Sequence, residues 1–362
     1  MAALTRSFRH WLAVILSLLC TGAGAASGGG YTIGVYYFPG WTDGAPGLEF
    51  REPWKPIKAY PDREPLLGWY SDSDAKVLRQ QIQWMTDYGI KFVVFDSYWK
   101  DREPFLDHAL KTFKRVKKSG QIGYALLWAN HFRFEGGAQG YDDLVKYWVS
   151  QHFTDPDYLK VDGRPVLFIF SLEEFSEMAK ILKKEPAELV RKVDQAAKAA
   201  GFPGVMMVGA TPGLAHWVRG VAPKAGFSSL SAYNYHIGYS GEAETATPRA
   251  TNFGALRQAY RTNWNWILEN SSLDFIVPIS AGWDDRPWGG RYPASEQQQA
   301  SLQTFEEHLR EAKALMNAYP AKTRKMGVIC CWNEFGEGSY IEPTKKDGFG
   351  RLEKIKTVFG AP

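Results

Sequence analysis

Cysteine is scarce in this sequence. Only Cys20, Cys330 and Cys331 occur among 362 residues, and the last two are adjacent in the chain. So small a number excludes a domain stabilised by a framework of disulfides. Because neighbouring residues of a strand point to opposite faces, we expect Cys330 and Cys331 to be buried separately as small apolar side chains.

A large excess of charge of one sign is also absent. The chain carries 43 Lys and Arg against 39 Asp and Glu, for a net charge of +4. Arg6 and Arg9, both close to the N-terminus, contribute two of those charges. So small a net positive charge does not favour a nucleic-acid partner.

Long hydrophobic runs are missing as well. An apolar run extends from Trp11 to Cys20, about half the length of about 20 residues that a membrane-spanning helix needs. Arg6 and Arg9 precede this run, and the small residues Ala23 to Ala25 follow it. This pattern predicts a signal peptide over residues 1–25 that is cleaved after Ala25. The mature chain, residues 26–362, is then periplasmic or secreted, is not stably inserted in a membrane, and is expected to be a monomer with one catalytic domain.

What the sequence does contain is a repeated alternation of short apolar runs with helical patterns. The runs are nearly continuous in hydrophobicity, which is typical of parallel strands buried on both faces. Eight such units predict a single (β/α)8 TIM barrel of the α/β class. A doubly wound open sheet is the alternative, but neither G-x-G-x-x-G nor G-x-x-x-x-G-K-[ST] occurs. The eight predicted strands are residues 32–38, 91–96, 122–129, 166–170, 205–209, 229–233, 275–280 and 327–332.

A long segment, residues 42–71, separates the first predicted strand from its helix. It is rich in aromatic residues and carries five prolines. A long loop without regular structure is either functional or disordered, and these aromatic residues favour an ordered wall over the barrel mouth.

Aromatic, amide and carboxylate residues gather at the C-terminal ends of the predicted strands. The active site of a TIM barrel lies at that end, and the mixture is typical of a sugar site rather than a phosphate or acyl site. For Asp96, helix capping is the alternative to substrate binding or to tuning of a neighbouring pKa. The candidate substrate-binding residues are Tyr36, Tyr37, Trp41, Asp96, Trp99, Trp128, Asn130, Tyr233, Tyr235, His236, Trp283, Trp332 and Asn333.

Glu334 and Glu337 are the candidate catalytic residues. Hydrolysis of a glycoside normally needs two carboxyl groups, and two that lie close together push their pKa values apart. Gly336 and Gly338 flank Glu337 and permit a tight turn that brings both carboxylates over one pocket. Helix capping or surface ion pairs are the alternative, but the position at the end of the eighth strand favours catalysis.

Other chemistries lack their motifs. The seven histidines include no H-E-x-x-H pair, and the cysteines provide no metal-ligand spacing. G-x-S-x-G, which would indicate a serine nucleophile, does not occur. We therefore expect neither a metal nor a cofactor.

The segment CWNEFGEGSYIEP, residues 331–343, also carries a family resemblance. It resembles the terminal motif of WbsX-like proteins and of glycoside hydrolase family 99, which has the pattern Asn-Glu-aromatic-x-Glu-Gly. Further blocks match in order, so that the resemblance extends from about residue 31 to residue 343. These blocks are VYYFPGW at 35–41, LLWAN at 126–130, GRPVLFIF at 163–170 and PISAGWDDRP at 278–287.

The resemblance implies a (β/α)8 barrel that cleaves α-linked mannose, or a related sugar, within a polysaccharide or oligosaccharide. It assigns to Glu334 the activation of the sugar 2-hydroxyl, which displaces the leaving group through an anhydro intermediate. It assigns to Glu337 the role of general acid and base, with net retention of configuration. Gly336 stands where family 99 usually has a histidine that contacts the glycan. The resemblance therefore does not determine which sugar is bound. A glycosyltransferase-like protein and a non-catalytic glycan-binding barrel are the alternatives.

Overall fold

A computed structural model of the chain describes residues 30–45, 51–131, 134, 136–290 and 298–360. The predicted signal peptide, residues 1–25, lies outside these ranges and stays a prediction. The strands in chain order are β1 Thr32–Tyr37, β2 Phe92–Lys100, β3 Glu103–Phe105, β4 Gly123–Trp128, β5 Lys160–Val161, β6 Arg164–Ile169, β7 Met206–Ala210, β8 Ser229–Ser231, β9 Asp274–Phe275, β10 Val277–Ser280, β11 Met326–Cys330, β12 Asn333–Glu334 and β13 Ser339–Tyr340.

Nine of these strands form a nearly closed parallel barrel. They follow the order β10-β11-β1-β2-β4-β6-β7-β8-β9. Strands β9 and β10 are separated by Ile276 alone, and they pair with β8 and β11 respectively, so one interrupted segment joins the two ends of the sheet. The predicted (β/α)8 barrel is therefore confirmed, and the seventh predicted strand is divided in two.

Helices surround the barrel. They are α1 Ala75–Asp87, α2 His108–Val116, α3 Gly137–Tyr147, α4 Leu172–Ile181, α5 Pro186–Ala199, α6 Ala222–Ala225, α7 Phe253–Asn270, α8 Leu302–Ala318, α9 Pro320–Thr323 and α10 Gly350–Phe359. Several begin at a residue whose side chain accepts a hydrogen bond from a free backbone N–H of the first turn, as Asp74, Ser171 and Asn252 do. Trp148–Phe153 continues α3 as a π-helical turn. Within the described ranges, none of the helices combines the length and the apolar character needed to span a bilayer.

The loop after β1 is ordered over residues 51–71 and packs on the end of the barrel. Trp54 stacks on Trp41, with ring centroids 3.9 Å apart, and its indole N–H donates to the Tyr70 carbonyl at 2.6 Å. These rings form one apolar cluster with Phe335. The predicted aromatic wall is present in this part of the loop, and residues 46–50 lie outside the described residues.

The two adjacent cysteines correct one prediction. Cys330 and Cys331 are both buried, as expected, but their sulfur atoms are bonded to each other in a disulfide. The prediction assumed that an extended strand continued through both residues and separated their side chains. Strand β11 ends at Cys330, so that alternation does not hold for Cys331.

Candidate active site

A short hairpin after β11 carries both candidate catalytic residues. Strands β12 and β13 pair antiparallel, with Glu334 opposite Ser339, and four residues connect them. Gly338 turns the chain at φ +65°, where a Cβ would also lie 2.4 Å from the Gln299 side chain. The Glu337 carbonyl accepts a hydrogen bond of 2.5 Å from the Asp284 N–H. The hairpin thus fixes two carboxylates at the barrel mouth.

The carboxyl group of Glu334 is 5% exposed and has one oxygen, Oε2, without a hydrogen-bond partner among the described residues. Burial raises its pKa well above the ordinary value, and the charges of Glu337 and Asp96 raise it further. The side chain of Trp288 donates a hydrogen bond to Glu334, and this bond lowers the pKa of Glu334.

Glu337 also has a buried carboxyl oxygen, Oε2, that lacks a partner within the described ranges. Burial, together with the charge of Asp285, raises the pKa of Glu337 to about 8. A proton held near neutral pH on one of two interacting carboxyls is what acid–base chemistry at a glycosidic oxygen requires.

Asp96 supplies a third carboxylate beside the pair. It is 7% exposed and lies within β2, so the alternative interpretation as a helix cap is wrong. Its Oδ2 accepts a hydrogen bond of 3.1 Å from the Tyr233 hydroxyl. Burial raises the pKa of Asp96 well above its ordinary value, and the charge of Glu337 adds to this increase.

Several of the predicted aromatic residues surround these carboxylates. A cavity of about 410 Å³ borders Glu337 and is lined by Tyr233, Tyr235, His236 and Trp283. Below it, the Tyr36 ring lies 4.8 Å from that of Tyr233. Burial, together with the charge of Arg249, lowers the pKa of His236 to about 3, so this imidazole is neutral at physiological pH. The cavity therefore combines aromatic faces with a few polar groups, as ligand sites usually do.

Three predicted substrate-binding residues lie outside this cavity. The Tyr37 hydroxyl donates to Gln81 of α1 at 3.0 Å, the Trp99 ring packs on Tyr147 of α3, and the Trp128 ring packs on Trp148. The prediction is corrected for these three, because successive residues of a strand alternate between the barrel interior and the surrounding helices.

Two predicted amides serve the backbone rather than a ligand. The Asn130 amide donates to the Ser171 carbonyl and accepts from its N–H, both at 2.9 Å. Asn333 makes the same reciprocal pair with Phe38, also at 2.9 Å. These two side chains connect neighbouring strand ends and so hold the mouth in shape.

Trp41 and Trp332 are both fully buried. The Trp41 indole N–H donates to the Asn333 carbonyl at 2.9 Å, which connects the loop after β1 to the β12–β13 hairpin. Neither residue lines the cavity, and the indole Nε1 of Trp332 has no hydrogen-bond partner among the described residues.

Trp288 and Tyr98 complete the site, and the sequence interpretation selected neither of them. A Cβ at Gly336 would lie 1.8 Å from the indole of Trp288, so the absence of a side chain at residue 336 is what lets this ring reach Glu334. Burial raises the pKa of Tyr98, and the charges of Asp96, Glu334 and Glu337 raise it further. Alternation along β2 could have indicated Tyr98, because it follows Asp96 by two residues.

No set of three or more His, Cys, Asp or Glu side chains in the described part of the chain is arranged to hold a metal ion. The barrel and its site are of the kind found in glycoside hydrolases: carboxylates project from strand ends into an aromatic-walled mouth.

Comparison with known proteins identifies the family of this chain. The chain belongs to the family described as Glycosyltransferase WbsX, whose model matches residues 58–355. Two relatives are the uncharacterized WxcX proteins of two Xanthomonas campestris pv. campestris strains. Each is 21% identical over 80% of this chain. The chain spans 42% of the length of these relatives.

Solved structures share the fold. A glycoside hydrolase-like protein superposes with a TM-score of 0.63 at 15% identity, over 92% of this chain and 95% of the other. The family 99 endo-alpha-mannosidase of Bacteroides thetaiotaomicron superposes with a TM-score of 0.59 at 16% identity, over 90% and 95%. At these identities the likeness concerns the barrel alone.

Proposed function

We propose that this protein is an exported glycoside hydrolase that cleaves within a polysaccharide of the α-mannoside or a related type, with retention of configuration. The observation that carries the proposal is the pair Glu334 and Glu337 on one hairpin. Each carboxyl has a buried oxygen that lacks a hydrogen-bond partner among the described residues. Unsatisfied buried oxygens are costly in a purely structural role, whereas a bound sugar supplies hydroxyl groups to them.

The environments of the two carboxyls suit different roles. Burial raises the pKa of both carboxyls, and the charge of a neighbouring carboxylate raises each pKa further, so the pair can hold one proton between them near neutral pH. The Trp288 hydrogen bond opposes this increase at Glu334 alone, and we assign the ionised role to Glu334 and the protonated role to Glu337. In the first step, Glu334 accepts the proton of the sugar 2-hydroxyl, whose oxygen attacks the anomeric carbon. Glu337 donates its proton to the departing glycosidic oxygen. In the second step, Glu337 takes a proton from water, which opens the anhydro ring, and Glu334 returns its proton to the 2-oxygen.

The test is incubation of residues 26–362 with mannans and bacterial exopolysaccharides, with chain length and anomeric form followed by NMR. We expect shorter chains whose new reducing ends retain the α configuration. Glu337→Gln and Glu334→Gln should each abolish the release of products without changing the melting temperature. Glu353→Gln, on the exposed face of α10, is the matched control and should remain fully active.

Two results would contradict the proposal. Transfer of sugar from a nucleotide-sugar donor would favour the activity in the family's name. Tight glycan binding without products after long incubation would favour a non-catalytic barrel.

A further inference from the structure

A second cavity, of about 680 Å³, lies on the outer side of the barrel wall between α2 and α3. We call it the α2–α3 groove; its lining includes Trp99, Arg102, Lys111, Lys146, Tyr147 and His152. Trp99 reaches it from β2, the strand that also carries Asp96. The groove is larger than the cavity of about 410 Å³ beside Glu337, and it lies in the size range of small-molecule sites.

Two buried polar atoms of groove residues have no hydrogen-bond partner among the described residues. They are the Nε1 of Trp99, which is 8% exposed, and the Nε2 of His152, which is 3% exposed. Native structures rarely leave buried polar atoms unsatisfied, and a bound ligand is one explanation for such atoms.

The hydrogen-bonding character of each atom follows from its surroundings. The Trp99 indole nitrogen can only donate. The Tyr124 hydroxyl donates to Asp155 at 3.1 Å, so its oxygen accepts from the Nδ1 of His152 at 3.3 Å. Burial, together with the charge of Lys114, lowers the pKa of His152 to about 3, so the ring is neutral and its Nε2 is an acceptor. The Trp99 nitrogen is thus an unpaired donor and the His152 Nε2 an unpaired acceptor. A hydroxyl group can satisfy either of them, because it both donates and accepts hydrogen bonds.

The remaining surfaces of the groove are aromatic and basic. The Tyr147 ring lies between those of Trp99 and His152, at centroid distances of 5.4 and 4.8 Å. Arg102, Lys111, Lys114 and Lys146 line the groove against only two carboxylates, Asp107 and Asp143. Even with Asp155, which binds Lys114 at 3.1 Å, the cations are in excess.

We propose that the α2–α3 groove is a second glycan-binding site that takes an acidic sugar unit of the hexuronate type. A sugar hydroxyl accepts from the indole N–H of Trp99 or donates to the Nε2 of His152. The apolar face of the sugar ring packs on Tyr147. Its carboxylate lies near Lys146, an exposed cation that forms no ion pair with any described residue. The proposal concerns binding alone and does not depend on hydrolysis at Glu334 and Glu337.

The test is titration calorimetry of the whole protein with a short oligogalacturonate and with its carboxyl-reduced, neutral counterpart. We expect the acidic ligand to bind and the affinity for the neutral ligand to be at least about tenfold lower. Lys146→Glu should weaken binding of the acidic ligand by about tenfold as well. Lys180→Glu on α4, which also reverses an exposed lysine but lies outside the groove, is the matched control and should bind like the parent.

Two further variants separate this site from the catalytic one. Trp99→Phe keeps the ring and removes the N–H, and it should weaken binding while the circular dichroism spectrum is unchanged. Glu337→Gln should bind the acidic oligosaccharide as the parent does. Equal affinity for the neutral ligand, binding unaffected by Lys146→Glu, or binding lost in Glu337→Gln would each overturn the proposal.

Discussion

At the scale of single residues, the close contact between Trp288 and Gly336 shapes the surroundings of Glu334. The indole of Trp288 stacks on that of Trp41, with centroids 5.9 Å apart and planes 14° apart, and hydrogen-bonds to Glu334. No side chain at residue 336 could coexist with this ring position, because its Cβ would overlap the indole.

Trp288→Phe should shift the pH profile of hydrolysis. Phenylalanine preserves the stacking but cannot donate a hydrogen bond to Glu334, so the pKa of Glu334 should rise further. The acidic limb of kcat/KM should then move to higher pH by about one unit. Trp266→Phe, a change on α7 outside the site, is the control and should leave the profile in place. An acidic limb that does not move in Trp288→Phe would mean that the hydrogen bond does not tune Glu334.

Gly336→Ala should destabilise the protein through its contact with Trp288. Forcing the ring away should cost about 1–3 kcal/mol, as overpacking of a close contact commonly does. If that contact is the cause, Gly336→Ala should have little further effect once Trp288→Ala has removed the ring. Chemical denaturation of the parent, both single variants and the double variant gives the coupling free energy. Simple additivity would show that the glycine is required for another reason.

The pH optimum follows from Glu337. Because the pKa of this group is raised to about 8, the proton needed by the leaving group is present below that pH and is lost above it. Hydrolysis should therefore decline as the pH rises through about 8, measured as kcat/KM on the best substrate. Activity that stays constant to pH 10 would show that Glu337 is not the general acid.

At the scale of elements, the loop after β1 and the β12–β13 hairpin are joined by buried contacts. Arg63, only 4% exposed, donates to the Phe335 carbonyl at 2.6 Å and to the Asp284 carbonyl at 3.0 Å, and it forms an ion pair with the Asp284 carboxylate. Burial alone would raise the pKa of Asp284, but Arg286 and Arg63 outweigh it and lower the pKa. The loop thus holds the hairpin in position from outside the barrel.

Glu342, just beyond the hairpin, should make stability depend on pH. It accepts hydrogen bonds from Tyr70 at 2.6 Å and Gln81 at 3.0 Å, and burial raises its pKa from 4.5 to about 8. Between these two pH values the folded chain holds a proton that the unfolded chain has released. The free energy of unfolding therefore falls as the pH rises, by up to about 1.4 kcal/mol per unit from this group.

Glu342→Gln should abolish that contribution. The melting temperature of the variant relative to the parent should increase from pH 5 to pH 8, as followed by scanning calorimetry. Glu353→Gln, at an exposed position, should show no such trend. A difference that is constant with pH would mean that Glu342 is ionised in the folded protein.

At the scale of the whole molecule, the sequence was sufficient for the barrel and for the place of the glutamate pair. Each of the eight predicted strands overlaps an observed one, because short apolar runs between helical patterns identify βα units. Which face of each strand points inward was harder to predict. Strands buried on both sides show no alternation of polar and apolar residues, so Tyr37, Trp99 and Trp128 were assigned to the wrong side. Trp288 lies far from Glu334 in sequence, and only the fold reveals their contact.

The chain's N-terminus carries the remaining prediction. If residues 1–25 direct export, the periplasmic or secreted protein should begin at Ala26, which intact-mass measurement can establish. Replacing Ala23 and Ala25 by aspartate should block cleavage, because the peptidase requires small residues there. A full-length product recovered from the cytoplasm would exclude export.

The pairing of β1 with β11 has a consequence for biosynthesis. Thr32 lies beside Met326, and the glutamate hairpin follows only a few residues after β11. A growing chain therefore holds its first strand with one edge uncovered until β11 has been synthesised. During that interval the nascent barrel has neither a closed mouth nor its two glutamates, so the carboxylate pair is assembled only once the barrel can close.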